Sequence, residues 1–439
     1  MIELIKMTRL SDLYLPHKAN EWMLKKIAGT TLARLIIALA SLVILSMNAR
    51  VLGPQGLGII SLIVVGIAII QNISNVIGGS ALVYLASRYD NFHLYLLSAL
   101  WALISASIGT VIMSLTRTIP AEHVYNVLFL SLLASLINIQ QMLLLGHERV
   151  KAYNWSSMLQ SILNALGLFY FFFIANERTV DGFVYSLYLA FGACFLLTYI
   201  MIFPSLKITA IEGLTSLIKE IVRLGGSIQI AGLLQTLNYR FSYFLLKKFF
   251  GAGTLGRFDA GVKLSEGIWL AAKSIALVEY SRISNETDEQ KSYRMAAALF
   301  KLSFLITLAG ILILLLLPAG FFEFLLGKNF PDIKWIILTL SPGILAIASG
   351  MIFSHLFSGT GKPHYNIIGS GIGLITLIAT GYLFIPKYGL IAAGLVTSFS
   401  YLSSLACQIY LFRKMSGYTW RAFLLRRIDF SFLFTKTHT

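Results

Sequence analysis

The chain has 439 residues, 57% of them hydrophobic and 12% charged, with a mean hydropathy of +0.78 and a formal net charge of +16. A soluble protein of this size carries roughly 25% charged residues, so the composition excludes a soluble globular fold. Apolar runs of about 20 residues recur from "LARLIIALASLVILSM" to "GLIAAGLVTSFSYLSSLACQIYLF", and each is long enough to cross a bilayer as a helix.

The chain opens with Lys6, Arg9, Lys18, Lys25 and Lys26 and no clean apolar signal region, so the first spanning helix is expected to act as its own insertion signal. Twelve spans follow, centred on residues 31–48, 57–79, 93–115, 124–145, 155–175, 182–203, 227–248, 256–279, 297–317, 335–357, 366–386 and 389–412. An even count places both termini on one side. With the N-terminus inside, the inner tails and loops hold 21 of the 35 Lys and Arg residues, the outer loops nine and the spans five. Both termini are therefore expected in the cytoplasm, and the basic surplus reads as topology rather than as a nucleic-acid surface. Cys194 and Cys407 fall inside apolar runs and offer neither a disulfide framework nor a metal cluster. No cofactor, metal or catalytic motif is expected, and the chain reads as something other than an enzyme.

The sequence repeats itself. "VLGPQGLGIIS" after span 1 aligns with "FFGAGTLGRFD" after span 7 at an offset of 198, matching Gly53, Leu57 and Gly58 to Gly251, Leu255 and Gly256. A weaker echo joins "GHERVKAYN" to "SGTGKPHYN". Six spans separate the partners, so the halves keep one orientation, a common transporter plan. The expected fold is all-α: two pseudo-symmetric six-helix bundles around a central cavity. Residues 1–27 form a cytoplasmic segment, 28–210 and 211–413 the bundles, and 414–439 a basic, aromatic cytoplasmic tail.

The repeat also removes two decoys. GAGTLG matches a dinucleotide-binding fingerprint, but a membrane helix precedes it and its counterpart GPQGLG lacks the pattern, so both read as outer turns that glycine permits. "SGTGKP" has Leu356 and Pro363 where a phosphate-binding loop needs Gly and Ser or Thr.

Span 8 carries Asp259, Lys263, Glu266 and Lys273 within about 40° of one direction, at 100° per residue. Span 7 adds Arg240, span 1 Arg34 and Asn48, and span 2 Gln71 and Asn75. Charge at membrane depth costs several kcal/mol and normally faces a bundle interior or a wet cavity. Lys263 has Asp259 and Glu266 within a helical turn. Arg240 has no acidic residue that near, so its removal is expected to leave folding largely intact. Lys301 is expected to snorkel towards an interface, and the polar patches of spans 4 and 5 to form interhelical hydrogen bonds. An interior with more Lys and Arg than carboxylates suits an anion, and diphosphate fits the guanidinium fork. Arg34, Arg240, Lys263, Lys273, Asn48, Gln71 and Asn75 are the candidate substrate-binding residues, and Asp259 and Glu266 the candidate ion-coupling residues.

"VLGPQGLGIISLIVV", "FLLKKFFGAGTLGRFDAGVKLSEG" and "FSGTGKPHYNIIGSGIGLITLIATGYLFIPKYGLIAAGLVTSFSYL" resemble the polysaccharide-biosynthesis (Wzx-type) flippases of the multidrug/oligosaccharidyl-lipid/polysaccharide (MOP) exporter superfamily. The resemblance covers essentially the whole chain through loose motifs. It implies a protein of the bacterial inner membrane that moves undecaprenyl-diphosphate-linked oligosaccharide outward by alternating access, driven by an ion gradient. It implies that spans 1, 2, 7 and 8 line the cavity. The implied partners are the lipid-linked oligosaccharide, the bilayer, and a polysaccharide polymerase with chain-length proteins, with no nucleic acid. A drug or cation antiporter of the same superfamily and a membrane-embedded glycan polymerase are the alternative readings. The antiporter would favour acidic residues, and the polymerase a longer outer loop than residues 318–334.

Overall fold

The computed structural model describes residues 17–86, 88–206, 214–283 and 288–419. Most of the expected terminal segments, and the 210/211 boundary, lie outside them. Eleven α-helices are described: α1 (His17–Gly78), α2 (Ala81–Leu85), α3 (Asn91–Leu115), α4 (Val124–Gly146), α5 (Val150–Phe169), α6 (Val180–Ile202), α7 (Leu214–Ile283), α8 (Glu289–Leu316), α9 (Ala319–Leu326), α10 (Ile333–Gly359) and α11 (His364–Ser416).

Three of them are too long to be single spans. α1 has 62 residues, α7 has 70 and α11 has 53. At 1.5 Å per residue each would run roughly 80–105 Å, against a hydrocarbon core of about 30 Å. Each is broken once, at a glycine with positive φ: Gly53 (φ 66, ψ −170), Gly251 (φ 81, ψ 177) and Gly389 (φ 58, ψ −127). The first two lie in a backbone region that is essentially closed to residues with a Cβ. The expected six-residue turns are thus single-residue breaks. Pro54 opens the second arm of α1, where its fixed φ and missing N–H fit the first helical turn.

Among the described residues, eight helices are apolar and long enough to cross a membrane, two of them the kinked α1 and α11. Counting their arms separately and adding the two arms of α7 gives the twelve expected spans. α7 is not among the eight: its first arm carries Gln229, Gln235, Asn238 and Arg240, and its second arm Asp259, Lys263, Glu266 and Lys273.

The repeat is visible in the packing. Gly53 and Gly251 break their helices at equivalent positions, and Leu57 and Leu255 are both fully buried. A Cβ on Gly58 would lie 1.9 Å from the carbonyl oxygen of Ala252, and one on Gly256 would lie 1.9 Å from that of Pro54. Ala252 is the 198-offset equivalent of Pro54, so the halves meet reciprocally, backbone against backbone, just past their kinks. An apolar core shared by both halves surrounds this contact, with Ile60, Ile63 and Ile70 from α1 and Tyr243, Leu255 and Phe258 from α7. Amides and hydroxyls of α4, α5 and α6 pair within the first half, as expected: Gln141 donates to Ser156 at 3.0 Å and Ser186 to Asn164 at 2.9 Å.

Candidate functional site

The two arms of α7 fold their charges against each other. Arg240 Nη2 lies 2.9 Å from both carboxylate oxygens of Glu266. Arg240 Nη1 donates to the Tyr243 hydroxyl at 2.8 Å, which donates to Asp259 Oδ1 at 2.8 Å. Asp259 Oδ2 forms an ion pair with Lys263, with Nζ 2.7 Å away. Five side chains form one continuous line: Glu266, Arg240, Tyr243, Asp259, Lys263. Helical geometry makes this possible, since Tyr243 lies one turn beyond Arg240 and Asp259 one turn before Lys263.

Tyr243 is fully buried and Asp259 is 2% exposed, whereas Arg240 and Lys263 side chains are 21% and 33% exposed. Two cations and two carboxylates balance, and a line of hydrogen bonds in a low-dielectric interior reinforces each of its members. The sequence missed Tyr243, whose signal was its i+3 spacing from Arg240. The expected solitude of Arg240 is also corrected, because its acid comes from the other arm. Lys301, expected to snorkel, is buried at 4% exposure instead. The neighbouring Phe300 packs against Ile352 and Phe353 of α10, so α8 is covered at this level.

The other candidates behave differently. Gln71 donates to the Ala134 carbonyl at 3.3 Å, and Asn75 accepts from Asn138 at 2.8 Å, so both amides are engaged by α4. Asn48 is 1% exposed, and its Oδ1 accepts no hydrogen bond from the described residues. Arg34 and Lys273 are both exposed and form no ion pair among the described residues. Arg34 lies on the first arm of α1 and Lys273 on the second arm of α7, two arms that pack together through Leu45, Ala49 and Ala260.

The 198-residue offset sets Asn75 opposite Lys273 and Gly232 opposite Arg34. The seam between the second arm of α1 and the first arm of α7 therefore has neutral, small residues at those positions. That seam is tight: a Cβ on Gly225 would lie 2.3 Å from the Val76 carbonyl oxygen, and Asn72 donates to Thr236 at 3.2 Å. The pseudo-equivalent seam, between the first arm of α1 and the second arm of α7, carries the two exposed cations.

No family model matches the chain. A protein from Shigella flexneri named for O-antigen transport is 23% identical over 403 residues, covering 87% of this chain and 94% of that protein. The capsular polysaccharide biosynthesis protein CapF of Staphylococcus aureus is 28% identical over 202 residues, 45% of this chain. The match spans about half of that relative's length (50%). Among solved structures, an inward-facing multidrug-resistance MATE-family transporter of the MOP superfamily superimposes with a TM-score of 0.73 at 17% identity, over 88% of this chain and 98% of that one. At that identity the likeness is one of fold: two six-helix bundles.

Proposed function

We propose that this chain is a polysaccharide-biosynthesis flippase of the MOP exporter superfamily, moving a lipid-diphosphate-linked oligosaccharide across the bacterial inner membrane. One observation carries the reading. Within the Glu266–Arg240–Tyr243–Asp259–Lys263 line two cations meet two carboxylates, whereas Arg34 and Lys273 are exposed on one seam and form no ion pair among the described residues. A site with two surplus cations attracts an anion, and a diphosphate offers several oxygens to both. Arg34 supplies a planar fork and Lys273 a compact point charge.

Both termini lie in the cytoplasm in this reading, and the Gly53 and Gly251 kinks face the periplasm. The halves alternate between openings to either side. Asp259 and Glu266 couple an ion gradient to that cycle, because protonating either one frees its cation partner and breaks the line. A transporter needs no bond-making chemistry, so the protein acts without being an enzyme. The antiporter alternative is disfavoured by the same geometry: a cationic guest needs an available carboxylate, and Asp259 and Glu266 both hold cations.

The test is complementation. Expression in a strain lacking its own O-antigen or capsule flippase restores surface glycan display. Raised resistance to cationic drugs without restored display would assign the protein to the antiporters.

A further inference from the structure

Two cations, one from each half, reach across to the other half at the kink end. Arg50, three residues before the Gly53 kink, donates through Nη2 to the Phe324 carbonyl, and its guanidinium lies 5.1 Å from the centre of the Phe324 ring. Ser46, one turn earlier, donates to the Leu325 carbonyl at 2.6 Å. Phe324 and Leu325 end α9, so both donors sit on carbonyls that the helix itself leaves unpaired. In the other half, Lys247 donates to the Arg117 carbonyl at 2.5 Å and to that of Thr118 at 3.2 Å. Those carbonyls follow the end of α3, where Arg117 takes a left-handed φ of 52. Lys247 stands one residue before the position equivalent to Arg50, and α3 and α9 both precede the kink-end connection into the fourth span of their half. The arrangement is reciprocal. Each half lays a cation on a helix C-terminus of the other, where helix dipoles favour positive charge.

Between these two contacts lies the backbone seal of Gly58 on Ala252 and Gly256 on Pro54, with Leu57 and Leu255 buried beside it. Gln55 and Gly253 face each other across it, since a Cβ on Gly253 would lie 3.1 Å from the Gln55 side-chain oxygen. We propose that Arg50 and Lys247 are paired clasps of a gate at the kink end, which hold the two halves shut there and must release before the protein opens on that side. Cation-to-carbonyl bonds suit the purpose. They are directional enough to hold the seal, yet every donor and acceptor involved lies near the surface, where water replaces the lost partner on opening. A cross-half pair of buried carboxylate and cation would resist opening far more strongly.

The gate presupposes the alternating cycle proposed above, but its closure can be read without any substrate. The full chain bearing Gln55→Cys and Gly253→Cys is expressed in membranes and treated with a short bifunctional thiol reagent. Cross-linking is followed as protection of both thiols from a maleimide-polyethylene glycol added after denaturation. Variants bearing either cysteine alone control for Cys194 and Cys407. The parent cross-links readily. Adding Arg50→Ala and Lys247→Ala slows cross-linking about fivefold or more, whereas Arg50→Lys with Lys247→Arg keeps it near the parental rate. If the alanine pair does not accumulate in the membrane, the single changes Arg50→Gln and Lys247→Gln each slow it by a smaller factor. Unchanged rates in the alanine pair, or in both single variants, overturn the clasp. Slower cross-linking in a protein that never restores glycan display would instead leave the gate standing and overturn the flippase reading.

Discussion

Arg240 and Glu266 are 26 residues apart and lie in opposite arms of α7, yet one guanidinium nitrogen stands 2.9 Å from both oxygens of the carboxylate. The Gly251 kink brings them together. Because the arm before the kink and the arm after it run side by side, an ion pair that no helical-wheel argument contains becomes the end of the buried charge line.

That pairing reverses the expected response to mutation. Arg240→Gln and Glu266→Gln should each destabilise the protein by about 3–5 kcal/mol, since either change leaves a buried charge without its partner. The double replacement should recover most of the loss. Melting of each variant in detergent, followed by fluorescence-detected size exclusion, gives the comparison. Equal and additive losses in the two single variants and the double would show that the charges do not act as a pair.

Tyr243 links the two ion pairs through a single hydroxyl. Tyr243→Phe keeps the ring, which packs edge-on against Phe258 with centroids 5.9 Å apart, and removes only the bridge. The predicted cost is about 1–3 kcal/mol, the range for stranding buried hydrogen-bond partners. A melting temperature equal to that of the parent would mean that the line is interrupted at Tyr243.

Gly251 and Gly267 share α7 and have open space where a Cβ would go, but only Gly251 has a positive φ. Their alanine substitutions should therefore differ in sign. Gly251→Ala forces a Cβ into the strained region and is expected to cost about 1–3 kcal/mol. Gly267→Ala should stabilise the helix by up to about 1 kcal/mol. Thermal melting of both variants decides it, and a neutral Gly251→Ala would deny the kink its backbone cause.

Topology is tested by thiol labelling in whole cells. Single cysteines placed by Gln55→Cys and Thr254→Cys, next to the two kinks, should react with an impermeant reagent, and one at Gly417 in the C-terminal region should not. The opposite pattern would invert the protein in the membrane.

Much of the fold could be read from the sequence because two strong signals act along the chain. Hydropathy locates the twelve spans, and the offset of 198 equates Gly53 with Gly251, the two residues that break α1 and α7. Signals that act across the chain were weaker. Lys263 has Asp259 four residues before it and Glu266 three after it, and sequence cannot say which it takes. The structure gives it Asp259 at 2.7 Å, because Glu266 is already held by Arg240. Lys301 lies buried where an exposed stem was expected, because α8 is covered by α10 over that stretch. α9 falls within the outer loop expected at residues 318–334: eight residues are too few to register as a span, although they carry the carbonyls that Ser46 and Arg50 reach.

The most direct test of the account concerns the two surplus cations. Arg34→Gln with Lys273→Gln removes no ion pair among the described residues, so the protein should accumulate in the membrane and melt like the parent. Each lost charge-assisted bond to phosphate weakens substrate binding by roughly 1.5–3 kcal/mol, or about ten- to a hundredfold. In a flippase-deficient strain, the double variant should therefore fail to restore surface glycan display, while Arg34→Lys with native Lys273 restores it in part. Full display by a normally expressed Arg34→Gln/Lys273→Gln protein would contradict the assignment of these residues to the diphosphate.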